Sequence, residues 1–318
     1  MRYINNYVLR TLIVIGSSVF LVHGLALTAR ATPPNPVKVG MPKTFFRDAN
    51  PAIVRLVTIP FNSLMRAQTG MNGRLMLIDD PMVLAKQLND KEKHLAVFHG
   101  FEFAWAQEKY PALRPLMIAI NMDRELSACL ITRNDKNLSD FASAKGKTVS
   151  VPRQSRGHCH LFLERKCEEL GCQPDSFFSK VIRHPDIETA LDAVVLGDVE
   201  CLVVDEVALK CYREIKPGCF NRLKVVHKSP IFPAAVIAYR EGSLSKSTLN
   251  RFKTGMIRAK QNIRARNLMM MMKLTGFEAI PNNFTNLVSS IRREYPSPDA
   301  VLQTASDVKE TKKVMMEE

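Results

Sequence analysis

Leu126-Ser127-Ala128-Cys129-Leu130-Ile131-Thr132 is the stretch on which the reading of the fold turns. Its apolar, β-branched composition predicts a strand, and it breaks a rhythm that runs up to it. Before it, strands over 37–41, 74–78, 94–98 and 116–120 alternate with helices over 51–69, 81–88 and 103–108, with Pro60 expected to kink or split the first helix. After it a fresh series begins: helix 138–144, strand 147–151, helix 158–170, strand 180–182, helix 187–196 and strands 201–204 and 223–226. A second apolar strand, 234–239, stands where the chain must return, and helices over 246–264, 267–274 and 286–294 follow. Strands alternating with helices specify α/β sheets covered on both faces. Two crossings specify two lobes, each a mostly parallel sheet flanked by helices, joined by a two-strand hinge. The expected boundaries are a first lobe over 32–128, a second over 129–230, a return over 231–296 and a charged tail over 297–318.

Outward from this core, the N-terminus decides the compartment. Arg2 and Arg10 precede an apolar run over 11–27 that ends in Thr28-Ala29-Arg30-Ala31, a signal-peptide layout with cleavage expected after Ala31. The competing reading is an uncleaved anchor, because the run approaches the roughly 20 residues that span a bilayer. Cleavage leaves 287 residues, enough for two ordinary lobes with cores of their own, in the periplasm. The formal charge falls from +14 to +11, so the exported chain stays basic. Its cations are scattered instead of forming a stripe with interleaved aromatics, which argues against nucleic acid and leaves anionic small molecules or a membrane surface. All seven cysteines lie after residue 31, an odd number that cannot pair fully within one molecule. Cys129 and Cys201 read as buried free thiols, whereas Cys167 with Cys172, and Cys211 with Cys219, are the candidate pairs.

In open α/β sheets, ligands collect at the carboxyl ends of strands. The segment Val151-Pro152-Arg153-Gln154-Ser155-Arg156-Gly157-His158 joins such an end to a helix, so free N–H groups and the positive helix end make it a candidate anion cradle. Ser155, Arg156, Gly157 and His158 are its binding residues; the alternative is that Ser155 merely caps the helix and the arginines are solvated. His99-Gly100-Phe101-Glu102 follows a strand of the first lobe and faces the cleft from the opposite side, offering His99 and Glu102. Asp205 follows a strand of the second lobe and His184 precedes the helix that begins near Ile187; together they are candidates to bind a cation, with Asp205 equally able to cap the next helix. His158-Cys159-His160 gives no metal site, since adjacent helical residues point apart and no partner pair stands at ligand spacing. Cys159, at a helix start beside histidines, is the one candidate nucleophile, without an orienting carboxylate or a recognised motif. Met269 to Met272 reads as core packing.

Several pieces resemble a known family, the phosphonate-type periplasmic substrate-binding proteins of ABC importers, over roughly residues 37–296. They are Ala96-Val97-Phe98-His99-Gly100-Phe101-Glu102-Phe103, the segment from Leu138 to Val149, the turn Ser155-Arg156-Gly157, the stretch from Ala190 to Asp205 with Gly197-Asp198, and Ser229-Pro230-Ile231-Phe232-Pro233-Ala234-Ala235. The resemblance implies a type II periplasmic-binding fold that closes on a small anionic, phosphate- or phosphonate-like solute and delivers it to a membrane permease. It implies no enzyme activity and no cofactor, and a monomer is expected. The family's hydroxyl-rich turn is represented by Ser155, with Arg156 and His158 where further small hydroxyl residues are expected. Phe101, Glu102 and Phe103 stand where the family supplies an aromatic hydroxyl, so Glu102 is expected either to meet an amine on the solute or to pair with Arg156. The alternatives are an anchored or exported sensory or partner-binding module, and a cleft enzyme using Cys159, His158 and Glu102.

Overall fold

The computed structural model describes residues 36–46, 51–153, 155–272 and 274–298. The expected signal peptide over 1–31 and the tail from residue 299 onward lie outside them. The first lobe starts with β1 (Val37–Pro42), α1 (Pro51–Thr69), β2 (Gly73–Ile78), α2 (Pro81–Asn89), β3 (Leu95–Phe98), α3 (Gly100–Lys109) and β4 (Leu113–Ile120). A two-residue strand β5 (Glu125–Leu126) leads to β6 (Ala128–Arg133), β7 (Thr148–Ser150), α4 (Gly157–Glu169), α5 (Pro174–Phe177), β8 (Lys180–Ile182), α6 (Ile187–Leu196), β9 (Cys201–Asp205), α7 (Glu206–Ile215), α8 (Pro217–Phe220) and β10 (Leu223–Lys228). The chain returns through β11 (Phe232–Pro233) to β12 (Ala235–Arg240), α9 (Lys246–Arg258), α10 (Ile263–Met271), β13 (Gly276–Glu278) and α11 (Phe284–Glu294).

The six-stranded sheet has the order β13-β4-β12-β3-β1-β2 and the five-stranded sheet the order β10-β6-β9-β7-β8. Both are mixed. Parallel pairing holds for β1 with β2 and β3, and for β7 with β8 and β9. Antiparallel strands complete each sheet where the chain crosses or returns, as in β12 beside β3 and β4, and β6 beside β9. The hinge is β5 paired with β11, Leu126 opposite Phe232 and Glu125 opposite Pro233.

Side-chain alternation sends each strand's apolar residues to both faces. In the first lobe Ala96, Phe98, Ile118 and Val236 meet α2, α3 and α11 on one face, and Val39, Leu95, Met117 and Ile237 meet α1, α9 and α10 on the other. In the second lobe Val149, Leu130 and Val203 pack on α4, and Ile131, Leu202 and Val204 on α6 and α7. Local signals set the helix starts. Asp80 accepts from the N–H groups of Met82 and Val83 ahead of α2, and Asp186 from Thr189 ahead of α6, which stops at Gly197 in the left-handed conformation (φ 91°).

Five expectations change. The strand expected over 126–132 divides at Ser127 into β5 and β6, because the chain changes sheets there: the Ser127 carbonyl accepts from Glu206 N–H, and Ala128 N–H donates to the Ser229 hydroxyl. The helix expected over 138–144 is a single 3-10 turn, Ala142–Ala144, and α1 runs as one element through Pro60. The helix expected over 246–264 breaks at Asn262, whose side chain caps α10 through the N–H groups of Arg264 and Ala265. All seven cysteines are free, and the Cys172 thiol donates to the Cys167 carbonyl instead of bonding its sulfur.

Candidate functional site

The turn 151–158 leaves the carboxyl end of β7 and delivers the start of α4. Gly157 is the first helical residue, and Arg156 occupies the cap position (φ −69°, ψ 153°) without a side-chain cap. Ser155 therefore does not cap the helix. Its hydroxyl is buried and has no hydrogen-bond partner among the described residues. Cys159 N–H turns back to the Arg156 carbonyl at 3.0 Å. The N–H groups of Gly157 and His158 lie in the first helical turn, where no intrahelical acceptor exists. Two free donors at a positive helix end, beside an orphan hydroxyl, form a seat that an anion satisfies.

Behind this seat lies a charged cluster. His158 is 3% exposed and brings Nε2 to 2.9 Å from Asp205 Oδ2. Arg156 Nη1 stands 3.4 Å from the same oxygen, while its Nη2 reaches the carbonyl of Asn121 in the first lobe, also at 3.4 Å. Asp205 Oδ1 accepts from the N–H groups of Val207 and Ala208 at 2.8 and 3.4 Å, which caps α7. Burial acts to raise the Asp205 carboxyl; His158, the Arg156 guanidinium and the Val207 N–H outweigh it and hold the acid below its ordinary range.

From the first lobe His99 stacks on Phe45, with ring centroids 3.7 Å apart, and lies parallel to Phe101 at 5.4 Å. This sandwich rests on the start of α4. A Cβ at Gly157 would stand 3.2 Å from the Phe101 ring and 3.4 Å from His99 Nε2, so a glycine there lets the lobes close. Phe232 of the hinge sits beside both lobes, 6.2 Å from Phe101 and 5.5 Å from His158. Lys210 with Asp123, and Arg165 with the Glu294 carbonyl, also bridge the lobes. The two lobes are therefore in contact across the cleft at the start of α4.

Glu102 is engaged within its own lobe. One carboxylate oxygen accepts from His99 N–H at 3.0 Å at the start of α3 and the other from the Thr44 hydroxyl at 2.7 Å, while Arg156 pairs with Asp205. His184 bonds through Nδ1 to Ser150 at the end of β7, 2.8 Å away, and so buttresses the turn from below. Sequence reasoning missed Asn121, Phe45, Thr44 and the hinge aromatic Phe232. Only Phe232 left a signal, as a lone aromatic between two prolines near the return crossing.

Cys159 is completely buried against Phe162 and Leu163, and burial pushes its thiol well above the ordinary value, which removes its nucleophilic reading. Among the described residues no cluster of metal-ligating side chains occurs, and no helix is long and apolar enough to cross a membrane. A cavity of about 550 Å³ opens beside the hinge, away from α4, over Ile118, Ile120, Phe284 and Leu287. Its rim acids are engaged, Glu278 with Arg124 and Glu125 with Asn283, so nothing there calls for a ligand.

Residues 45–283 match the family model described as ABC transporter, phosphonate, periplasmic substrate-binding protein. No curated protein matches the chain in sequence. Solved structures share the fold. A binding protein component of an ABC phosphonate transporter from Pseudomonas aeruginosa superposes with a TM-score of 0.51 at 16% identity, over 89% of this chain and 98% of that one. PhnD1 from Prochlorococcus marinus in complex with methylphosphonate gives 0.56 at 12% identity, over 82% and 98%. A Xanthomonas citri protein bound to chloride gives 0.55 at 14%, over 81% and 98%.

Proposed function

Because the chain belongs to the phosphonate-type periplasmic substrate-binding proteins of ABC transporters, a family of binding proteins and not of enzymes, we propose that it captures a small phosphate- or phosphonate-like anion at the start of α4. The observation that carries this reading is the buried Ser155 hydroxyl without a partner, set beside the free N–H groups of Gly157 and His158. A polar group left unsatisfied in a dry site costs about 1–3 kcal/mol, and an oxyanion removes that cost while meeting the helix dipole. Arg156, partly exposed and only loosely paired with Asp205, turns its fork to the ligand. His158 stays with Asp205 and keeps that carboxylate from repelling the anion. PhnD1, with the same fold, was solved with methylphosphonate, which makes this anion the first to try.

The cycle begins with the hinge open and the α4 end hydrated. The anion replaces that water, Arg156 folds over it, and closure brings His99 and Phe101 against Gly157 so that solvent is excluded. Electrostatic attraction strengthens as the local dielectric falls. The closed form is then presented to the permease. Export through cleavage after Ala31, and action as a monomer, belong to the same reading.

A thermal-shift screen with phosphate, methylphosphonate, sulfonates and carboxylates tests it, using the exported protein and Arg156→Ala. An anion at 100 times its Kd stabilises by about 2.7 kcal/mol. A shift produced by one of these anions and lost in Arg156→Ala, with the unliganded melting temperature retained, supports the reading. No shift with any anion, or a shift of equal size in the variant, overturns it.

A further inference from the structure

The outer face of α9 and α10 carries charge that the binding site does not use. No acidic residue occurs between Glu241 and Glu278, while that interval holds eight lysines and arginines. Of these, Lys246, Arg251, Arg258, Lys260, Arg264 and Arg266 are exposed, and none has an ion-pair partner among the described residues. The two bounding acids are engaged elsewhere, Glu241 with Arg114 at 2.9 Å and Glu278 with Arg124 at 2.5 Å. The face is therefore cationic without local compensation.

The opposite sides of the same helices are fixed. Leu249, Phe252 and Met256 of α9 and Ala265 and Met269 of α10 are buried in the core of the first lobe. Gly255 brings α9 against α1, where a Cβ would meet the Gln68 carbonyl at 2.4 Å. Rotation of either helix to hide its cations would expose that core. Two large apolar side chains nevertheless point outward from the cationic face, Ile263 at 61% exposure and Met270 at 65%. They are seven residues apart, two turns of one helix, and so share a side. Arg266 lies between them in sequence.

We infer that this face docks on an anionic lipid bilayer, with the six cations at the headgroups and Ile263 and Met270 entering the interface. Cations flanking projecting apolar groups are the pattern of an interfacial helix, and each lysine or arginine near an anionic surface strengthens binding about fivefold. An acidic protein would satisfy the cations as well, and binding to vesicles without protein separates the two. A protein whose family serves a membrane permease gains from such a contact, because search along a surface replaces search through a volume. The inference does not rest on the identity of the solute.

Flotation with vesicles tests it. The full chain is mixed with vesicles of phosphatidylcholine alone, or with about a third phosphatidylglycerol, a content giving a surface potential on the scale of anionic leaflets. Any contribution from the apolar run at 11–27 appears on neutral vesicles as well and is subtracted. The expected result is binding specific to phosphatidylglycerol that collapses at about 1 M salt, where the Debye length is roughly 3 Å. Arg264→Glu with Arg266→Glu should weaken it on the order of a hundredfold, and Ile263→Ser with Met270→Ser about tenfold, with unchanged melting temperatures in both. Equal binding by the charge-reversed protein, or no binding by the native one, overturns the inference. Loss on charge reversal with no effect of the serine pair overturns the insertion of Ile263 and Met270 into the interface.

Discussion

Asp205 supports two structures at once, and the pair Asp205→Asn and Asp205→Ala separates them. Its Oδ1 caps α7, while Oδ2 serves His158 and Arg156. Asparagine keeps the cap and removes the charge, whereas alanine removes both. A lost cap costs about 1 kcal/mol. The charge loss weakens the 2.9 Å contact of the buried His158 with Oδ2, about 1–3 kcal/mol. The midpoint of that range, about 2 kcal/mol, is below the 3–5 typical of a broken pair of permanently charged groups. Arg156, about a quarter exposed, adds little because water solvates it. At about 2 °C per kcal/mol for a chain of this size, Asp205→Asn lowers the melting temperature by about 4 °C and Asp205→Ala by about 6 °C.

The pH profile supplies the second readout. The folded-state pKa of Asp205 is depressed, while an unfolded carboxyl titrates near about 3.9. The unfolded chain therefore binds the proton first as pH falls, and stability falls with it. The charge contribution is fully present above that value and is lost as pH drops through the lower folded pKa. Melting curves by circular dichroism should show a constant gap between native protein and Asp205→Asn near neutrality that closes in acid. Equal stability of the two at neutral pH, or a gap that does not narrow in acid, would refute the assignment.

At Gly100 a Cβ would lie 2.1 Å from the Pro233 carbonyl oxygen. Gly100→Ala should therefore cost about 3 kcal/mol, read as a lowered melting temperature; a more stable variant, as helix propensity alone predicts, would show that α3 does not bear on the hinge strand. Cys159 should resist iodoacetamide in the native protein at neutral pH and react only on unfolding, since it is buried and its thiol is raised. Peptide mass mapping checks this, and rapid native labelling of Cys159 would restore its reading as a reactive group.

The sequence by itself determined the sheets, the crossings and the turn that faces the cleft. Strand and helix patterning depends on which residues can be buried at a spacing of two or of three to four, and burial is dictated locally by residue type. That is why Ile187–Leu196 and Lys180–Ile182 are legible to the residue, and why the turn at Ser155 could be placed at a helix start. Breaks that follow from tertiary geometry were not legible. Ser127 ends a strand because two sheets diverge there, although the apolar run continues through it to Thr132.

Roles within the site belong to the same tertiary class. Glu102 and Asp205 are both acids next to helix starts, and the sequence could not distinguish them. The structure turns Glu102 back on its own helix and Thr44, and sends Asp205 to His158 and Arg156. Asn121 and Phe45 joined the site from distant positions without any motif. Which side chain receives a charge or stacks on a ring is set by distances of a few ångströms between elements far apart in the chain, and those distances exist only after two lobes have packed and closed.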